Sequence, residues 1–205
     1  MTNSSDFFGY GASYSPLIFN EADWLSDLQF MQRAGMNLIR LGDVHGSWDL
    51  IEPREGCFEF DQLERFYRLA AEFGIHILIS TGAASPPLWL AERYPDLPIL
   101  SNRGERYPLG ASYHWACIHH PGYRAAAENY LHALLDFTAS QPNHFGWQIS
   151  NEIGFPFLPA RGEADLSLYC YCPHCVEKFR QWVKVKYHTL EQLTRAWAWG
   201  TTYLV

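Results

Sequence analysis

The chain has 205 residues and a formal net charge of −7, with 48% hydrophobic and only 18% charged residues. This length suits one domain, and the apolar share is sufficient for a core and argues against disorder. The acidic balance argues against the basic face that nucleic acids and anionic membranes require. No apolar run reaches membrane-spanning length and no signal-peptide pattern is present, so we expect a cytoplasmic protein.

Predicted strands and helices alternate along the first part of the chain. Residues 7–14, 37–41 and 75–81 predict three strands, the last one a nearly continuous apolar run that is typical of a buried parallel strand. Apolar residues recur at helical spacing after Asn20 and after Asp61, and a glycine follows each of these segments. The pattern is therefore strand, helix, strand, helix, strand.

A long proline-containing segment, residues 82–120, follows the third strand. Loops of this length in compact proteins are usually functional. Residues 121–139 then predict a helix, and residues 145–149 predict a fourth strand. Alternating strands and helices indicate parallel βα units with right-handed crossovers. A closed (β/α)8 barrel needs eight units and about 250 residues, so we expect either a small open α/β sheet or the first half of a barrel.

The most informative stretch lies at the end of the fourth predicted strand, where Asn151 and Glu152 follow Gln148 and Ile149. Ligands and catalytic groups of parallel α/β folds lie at the carboxyl ends of the strands. A carboxylate at this position, beside a carboxamide that can bind a substrate hydroxyl, is a candidate general acid/base. A loop or helix-cap role is the alternative for both residues.

A cysteine cluster follows. Three thiols lie within six residues: Cys170, Cys172 and Cys175. Because tetrahedral zinc takes four soft or borderline donors, we expect a fourth ligand from another part of the chain. We favour Cys117, and the alternatives are His174, His119 and His120. Four thiolates would close the metal shell, so this zinc would be structural and would join the third-strand loop to the segment after the fourth strand. In a cytoplasmic protein we expect the five cysteines to be thiols or metal ligands rather than disulfides, with Cys57 an isolated thiol.

The last part of the chain predicts two further helices with an apolar stripe. The residues expected in the core there are Val176, Phe179, Trp182, Val183, Tyr187, Leu193 and Trp197. Thr189 with Gln192 resembles a capping box for the second of these helices.

The sequence is consistent with more than one role for several polar and aromatic residues. Trp48 and Trp89 either line a ligand site or pack beneath it, and Asp43 is as consistent with a polar site as with a loop. Glu52 is expected to be structural. Three histidines are interpreted as surface or packing residues: His45, His114 and His144.

Taken in order, the motifs of this chain resemble those of the amino-terminal part of the glycoside hydrolase family 42 β-galactosidases. The matching segments are YSP at 14–16, RLGD at 40–43, IEPREG at 51–56, FEFD at 58–61, PPLWL at 86–90, Cys117, PGYR at 121–124, WQISNE at 147–152, the cysteine cluster, FRQW at 179–182, KY at 186–187 and AWGT at 198–201. Each motif is weak alone, but the ordered set is specific and spans almost the whole chain.

The resemblance implies a (β/α)8 TIM barrel that cleaves terminal β-galactosides with retention of configuration. Glu152 matches the family's general acid/base, and Asn151 matches the neighbour that binds the sugar 2-hydroxyl. The family's zinc ligands match Cys117, Cys170, Cys172 and Cys175. The family's nucleophile is a glutamate on the seventh strand, so residues 1–205 are expected to form the first four βα units of one partial catalytic domain.

Two local features depart from the family pattern. The arginine that usually precedes the first zinc cysteine, and that contacts the sugar site, is not evident in residues 111–117. The loop after the second strand, residues 43–48, is longer than usual and begins with an aspartate instead of the common glutamate.

Two functions follow as hypotheses. The first is a β-galactosidase present as an amino-terminal fragment that is inactive alone, because it lacks the nucleophile. The second is a non-catalytic half-barrel with structural zinc that binds a carbohydrate or a partner chain. Two half-barrels could pair edge to edge, so a homo-oligomer is one expected assembly. A nucleic-acid module is disfavoured by the acidic balance.

Overall fold

The computed structural model describes residues 7–42, 48–109, 114–151 and 168–197. Four strands form one parallel sheet in the order β1-β2-β3-β4: β1 Gly11–Tyr14, β2 Leu38–Leu41, β3 His76–Ser80 and β4 His144–Gln148. The strand order follows the chain order, as successive right-handed βα units require.

Helices fill the intervals between the strands. They are α1 Trp24–Arg33, α2 Trp48–Ile51, α3 Asp61–Glu72, α4 Leu88–Arg93, α5 Pro121–Ala139, α6 Pro173–Tyr187 and α7 Leu190–Trp197. The Asn20 side chain caps a 3-10 turn before α1 by accepting from the Ala22 N–H at 3.2 Å. The predicted helices are confirmed. Two short helices are additional: α2 lies where no element was predicted, and α4 lies inside the segment 82–120 that was predicted to be irregular. In the part of the chain that is described, no helix combines the length and apolar character needed to cross a membrane.

The first strand is shorter than predicted because a side chain replaces part of its ladder. The Asn37 carboxamide accepts from the Tyr10 N–H at 2.8 Å and donates to the Phe8 carbonyl at 2.9 Å. Regular pairing begins only at Gly11, where a Cβ atom would lie 1.5 Å from the Leu38 carbonyl oxygen. Only glycine permits this close approach of the two strands.

One face of the sheet forms the core. Ile39 and Ile77 are fully buried there. They belong to the same apolar cluster as Leu28 of α1, Phe66 of α3 and Tyr130 of α5. The opposite face carries partly exposed residues of alternate register: Leu38, Arg40, His76 and Leu78. In a barrel wall the first face would meet the helices and the second would face the interior.

The α6 and α7 helices contradict the prediction of a core stripe. Neither helix contains a buried residue, and the exposed fraction is 51% for Phe179 and 46% for Trp197. These rings pack against each other, with centroids 6.1 Å apart, instead of against the sheet. The predicted cap is confirmed, since the Gln192 N–H donates to the Thr189 hydroxyl at 3.1 Å.

Candidate active site and metal centre

The side chain of Asn151 is fixed at the carboxyl end of β4. Its Oδ1 atom accepts from Arg40 Nη1 and from Gln148 Nε2, each at 3.1 Å. Arg40 is itself held by the Ser13 hydroxyl, which lies 3.1 Å from Nη2. Because a guanidinium can only donate, the amide oxygen must face Arg40. The Asn151 Nδ2 group is therefore the donor that this side chain can offer to a substrate hydroxyl.

The backbone at the same strand end is held from two directions. The Thr81 hydroxyl donates to the Ile149 carbonyl at 2.7 Å, which ties the end of β4 to the segment after β3. On the other side, His114 Nε2 lies 3.0 Å from the Asn151 carbonyl oxygen. The interpretation of His114 as a surface or packing residue did not anticipate this contact, whereas His144 does pack, against Trp147.

Some candidates fall outside the described residues. Glu152 belongs to the segment 152–167, and Asp43 and His45 belong to the segment 43–47. What the structure establishes is the placement of Asn151, the residue directly before Glu152, at the carboxyl edge of the sheet.

The two tryptophans pack around a buried carboxylate. The exposed fraction of Glu52 is only 1%, and its Oε2 and Oε1 atoms accept from Trp48 Nε1 at 2.6 Å and from the Gly56 N–H at 2.7 Å. Trp89 Nε1 donates to the Glu52 carbonyl at 2.9 Å. The structural role predicted for Glu52 is confirmed, and both tryptophans take the packing role.

The four predicted zinc ligands come together. The sulfur of Cys117 lies 3.3 Å from that of Cys172 and 3.5 Å from that of Cys175. With Cys170, all four sulfurs lie within 4.8 Å of one another. Tetrahedral zinc with Zn–S bonds of about 2.3 Å places its sulfurs roughly 3.8 Å apart, so the donor set and its spacing fit this metal.

Two chain segments deliver these sulfurs. The Cys117 N–H donates to the Leu97 carbonyl at 2.9 Å. On the other segment, Cys172 is the N-cap of α6 and its sulfur accepts from the Cys175 N–H at 3.5 Å. The Leu100 N–H donates to the Cys170 sulfur at 3.5 Å, so backbone N–H groups orient two of the four sulfurs.

The protons of the cluster are shared unequally. A hydrogen bond from the Cys117 thiol lowers the pKa of Cys170 to about 5, and the same bond raises the pKa of Cys117. Burial raises the pKa of Cys175 to about 12. The sulfurs therefore cannot all ionise together unless a cation neutralises their mutual repulsion, which is the usual linkage between metal binding and thiol deprotonation.

Two of the three histidine alternatives for the fourth ligand, His120 and His174, form a separate cluster with Asp96. His120 Nδ1 accepts from the Gly122 N–H at 3.0 Å, so Nε2 carries the proton and faces the Asp96 carboxylate at 3.4 Å. His174 Nε2 lies 3.9 Å from the same carboxylate. Among the described residues, no histidine nitrogen lies close enough to all four sulfurs to belong to their group. The arrangement therefore favours Cys117 over His174, His119 and His120.

Comparison with known proteins identifies one family. The glycoside hydrolase family 42 model, described as beta-galactosidase, matches residues 13–204. The chain is 29% identical over 197 residues to β-galactosidase BgaB of Geobacillus sp., covering 95% of this chain and 27% of that protein. It is 34% identical over 206 residues to β-galactosidase BglY of Alicyclobacillus acidocaldarius, covering 96% of this chain and 27% of the relative.

Comparison of the fold with solved structures also leads to β-galactosidases. The crystal structure of the cold-adapted β-galactosidase from Rahnella sp. R3 superposes with a TM-score of 0.80 at 29% identity, over 98% of this chain and 28% of the other. The α/β sheet is thus the first part of the TIM barrel of such enzymes, and the chain spans little more than a quarter of the length of the relatives it matches. The chain belongs to glycoside hydrolase family 42, the β-galactosidase family.

Proposed function

We propose that this chain contributes the acid/base side of the active site of a β-galactosidase, which hydrolyses terminal β-D-galactosides with retention of configuration. The observation that carries the proposal is the fixed Asn151 side chain at the carboxyl end of β4 in a chain of this family. Glu152, the next residue, is the general acid/base. It protonates the leaving oxygen in the first step and activates water in the second.

Asn151 has a binding role in this mechanism. With its oxygen turned to Arg40 and Gln148, its Nδ2 group donates to a hydroxyl of the sugar ring. Hydrogen bonds to the 2-hydroxyl strengthen in the oxocarbenium-like transition state, so this donor contributes more to the transition state than to the bound substrate.

The reaction also needs a nucleophile. In a retaining glycosidase a second carboxylate stands about 5 Å from the acid/base. We propose that this carboxylate comes from the seventh strand of a longer protein in which residues 1–205 form the first half of the barrel. Residues 1–205 alone are then inactive, because protonation of the leaving oxygen without a nucleophile leaves the transition state unsupported.

The metal has a structural role in this proposal. Zinc held by Cys117, Cys170, Cys172 and Cys175 would have a closed shell of four thiolates and no open position for substrate. It would supply a cross-link between the loop after β3 and the start of α6, and the chemistry would remain with the carboxylates.

The test is a leaving-group comparison in the protein as its own cell produces it. Glu152→Gln should reduce turnover of a galactoside with a poor, alkoxide-like leaving group by about 10²-fold or more. The first step with an activated aryl leaving group, which needs no proton, should be much less affected, and added azide should yield a β-galactosyl azide. Glu92→Gln, a change on an exposed residue of α4, is the control. Equal loss on both substrates would exclude the acid/base role.

A non-catalytic half-barrel is the second candidate function. Its support is the open sheet, in which β1 and β4 each have a single neighbour among the described strands. Such a protein would bind a galactoside or pair with a second copy without turnover. The intact mass of the cellular protein distinguishes the two: a mass near 23.6 kDa favours the half-barrel, and a much larger mass favours the enzyme.

A further inference from the structure

The imidazole of His114 makes a defined contact with the strand that leads to the proposed acid/base. Its Nε2 atom lies 3.0 Å from the Asn151 carbonyl oxygen. A carbonyl oxygen can only accept, so Nε2 must carry the proton and donate it. The contact therefore places a proton on Nε2, opposite a main-chain acceptor.

The backbone of His114 is held in an unusual conformation. Its φ angle is +62°, which is uncommon for a residue other than glycine. The His114 N–H donates to the Ala84 carbonyl at 2.7 Å, in the segment that follows β3. Such conformations persist where the surroundings fix them, and they concentrate at functional sites. Here the left-handed turn directs the ring towards the end of β4.

A short ladder joins His114 to the cysteine cluster. The Ile99 N–H donates to the Trp115 carbonyl at 2.8 Å, and the Cys117 N–H donates to the Leu97 carbonyl at 2.9 Å. His114 thus lies three residues before Cys117, at the start of a segment whose residues 115 and 117 are hydrogen-bonded to residues 99 and 97. A displacement of the Cys117 sulfur would move this segment, and His114 with it.

The peptide group that receives the hydrogen bond explains its importance. The Asn151 carbonyl shares one rigid plane with the N–H of the next residue. A donor that fixes this carbonyl therefore fixes the peptide from which residue 152 departs. Errors of about 1 Å at a reacting group can cost 10²-fold in rate, so the orientation of one peptide plane matters.

We infer that His114 is a positioning residue that links the cysteine cluster to the Asn151 carbonyl, and so fixes the carboxyl end of β4 directly before the proposed acid/base. The inference rests on the proposed function for its effect on rate. It does not depend on that function for its structural content, which is the Nε2–H donor and the link to the cluster.

Two variants at this position separate the hydrogen bond from the fold. His114→Gln keeps an N–H donor of similar reach, whereas His114→Phe keeps a ring and loses the donor. Both residues meet the same left-handed backbone, so the strain is matched. In the cellular protein we expect His114→Phe to lower kcat for a poor leaving group about 10-fold with KM nearly unchanged, and His114→Gln to stay within about 3-fold of the parent. A kcat of His114→Phe equal to the parent value, or the same loss in both variants, would overturn the inference.

A spectroscopic measurement keeps the inference testable if the proposed function fails. In ¹⁵N spectra of the imidazole, Nε2 should carry the proton, and His114→Phe should shift the carbonyl ¹³C resonance of Asn151. Removal of metal by a chelator should speed exchange of the Nε2 proton. A protonated Nδ1 with an unprotonated Nε2, or an unchanged Asn151 resonance, would contradict the assignment. Absence of all galactosidase activity with these signals intact would remove the proposed function alone.

Discussion

The sheet with its helices and the α6–α7 pair are held together in different ways. In the first region, residues such as Ile39, Ile77 and Leu63 are fully buried in a single apolar cluster. In the second, neither helix has a buried residue, although the sequence has the same kind of apolar stripe. Helical periodicity therefore predicts a helix and its apolar face, but not what that face packs against.

The cysteine cluster is where the start of α6 meets the main apolar core. Cys172 is buried to 1% exposure while Trp182, ten residues later, is 49% exposed. Beyond the cluster, the helices depend on contacts within the pair: Trp197 Nε1 donates to the Tyr187 hydroxyl at 2.9 Å, and the Lys186 ammonium lies 4.5 Å from the Trp182 ring centroid. One region is thus stabilised by burial, and the other by the contacts of the cysteine cluster and by contacts within the helix pair.

The largest effect on stability is expected from the buried region. Phe66 is fully buried, stacked on Tyr14 at 5.5 Å and edge-on to Trp24 at 5.2 Å. Phe66→Ala should lower the free energy of unfolding by about 3–5 kcal/mol, because it leaves a cavity among rigid neighbours. Denaturant titration measures this loss. Phe30→Ala is the matched control, since Phe30 is 63% exposed, and a similar loss there would contradict the assignment of the core.

A smaller loss is expected at the buried carboxylate. Glu52→Gln keeps the shape of the side chain but places an N–H₂ group against one of the two donors, Trp48 Nε1 or the Gly56 N–H. We expect a loss of about 1–3 kcal/mol in the free energy of unfolding. Denaturant titration of this variant beside the exposed Glu92→Gln isolates the buried contacts, and equal stability of the two variants would show that Glu52 is not structural.

The smallest effect is expected on the α6–α7 pair. Trp182→Ala removes a half-exposed ring with its Phe179 and Lys186 contacts. The free energy of global unfolding should change by only about 0.5–1 kcal/mol. A loss as large as that of Phe66→Ala would mean that the pair shares the main core after all.

The fold was largely predictable because its periodicities are local. Helix α5 has the predicted bounds, 121–139, and β3 and β4 lie within two residues of prediction. The predicted start of β1 was wrong, because the Asn37 side chain replaces backbone hydrogen bonds of the ladder there. The spacing of apolar residues does not reveal such a long-range contact. The predicted burial of Phe179 was wrong, because an apolar stripe contains no information about the surface that it packs against.

The site was predictable in part. The position of Asn151 was predictable because it comes at the end of a predicted strand. The grouping of Cys117 with the three later cysteines was predictable from donor chemistry and from the family resemblance. Arg40 appeared only as a motif residue, and its bond to Asn151 spans 111 positions. His114 had no signal in the sequence, because its role depends on a left-handed turn that directs the ring across 37 residues.

The most direct test of the contrast between the two regions is hydrogen exchange before and after chelation, with metal content measured on the same sample. We expect about one zinc ion per chain. Chelation should then accelerate amide exchange in residues 168–197, while β2 and β3 stay protected by their buried neighbours. Freely titrating thiols with no zinc, or exchange in residues 168–197 that chelation leaves unchanged, would contradict the proposal that a metal at the cysteine cluster holds this part of the protein against the core.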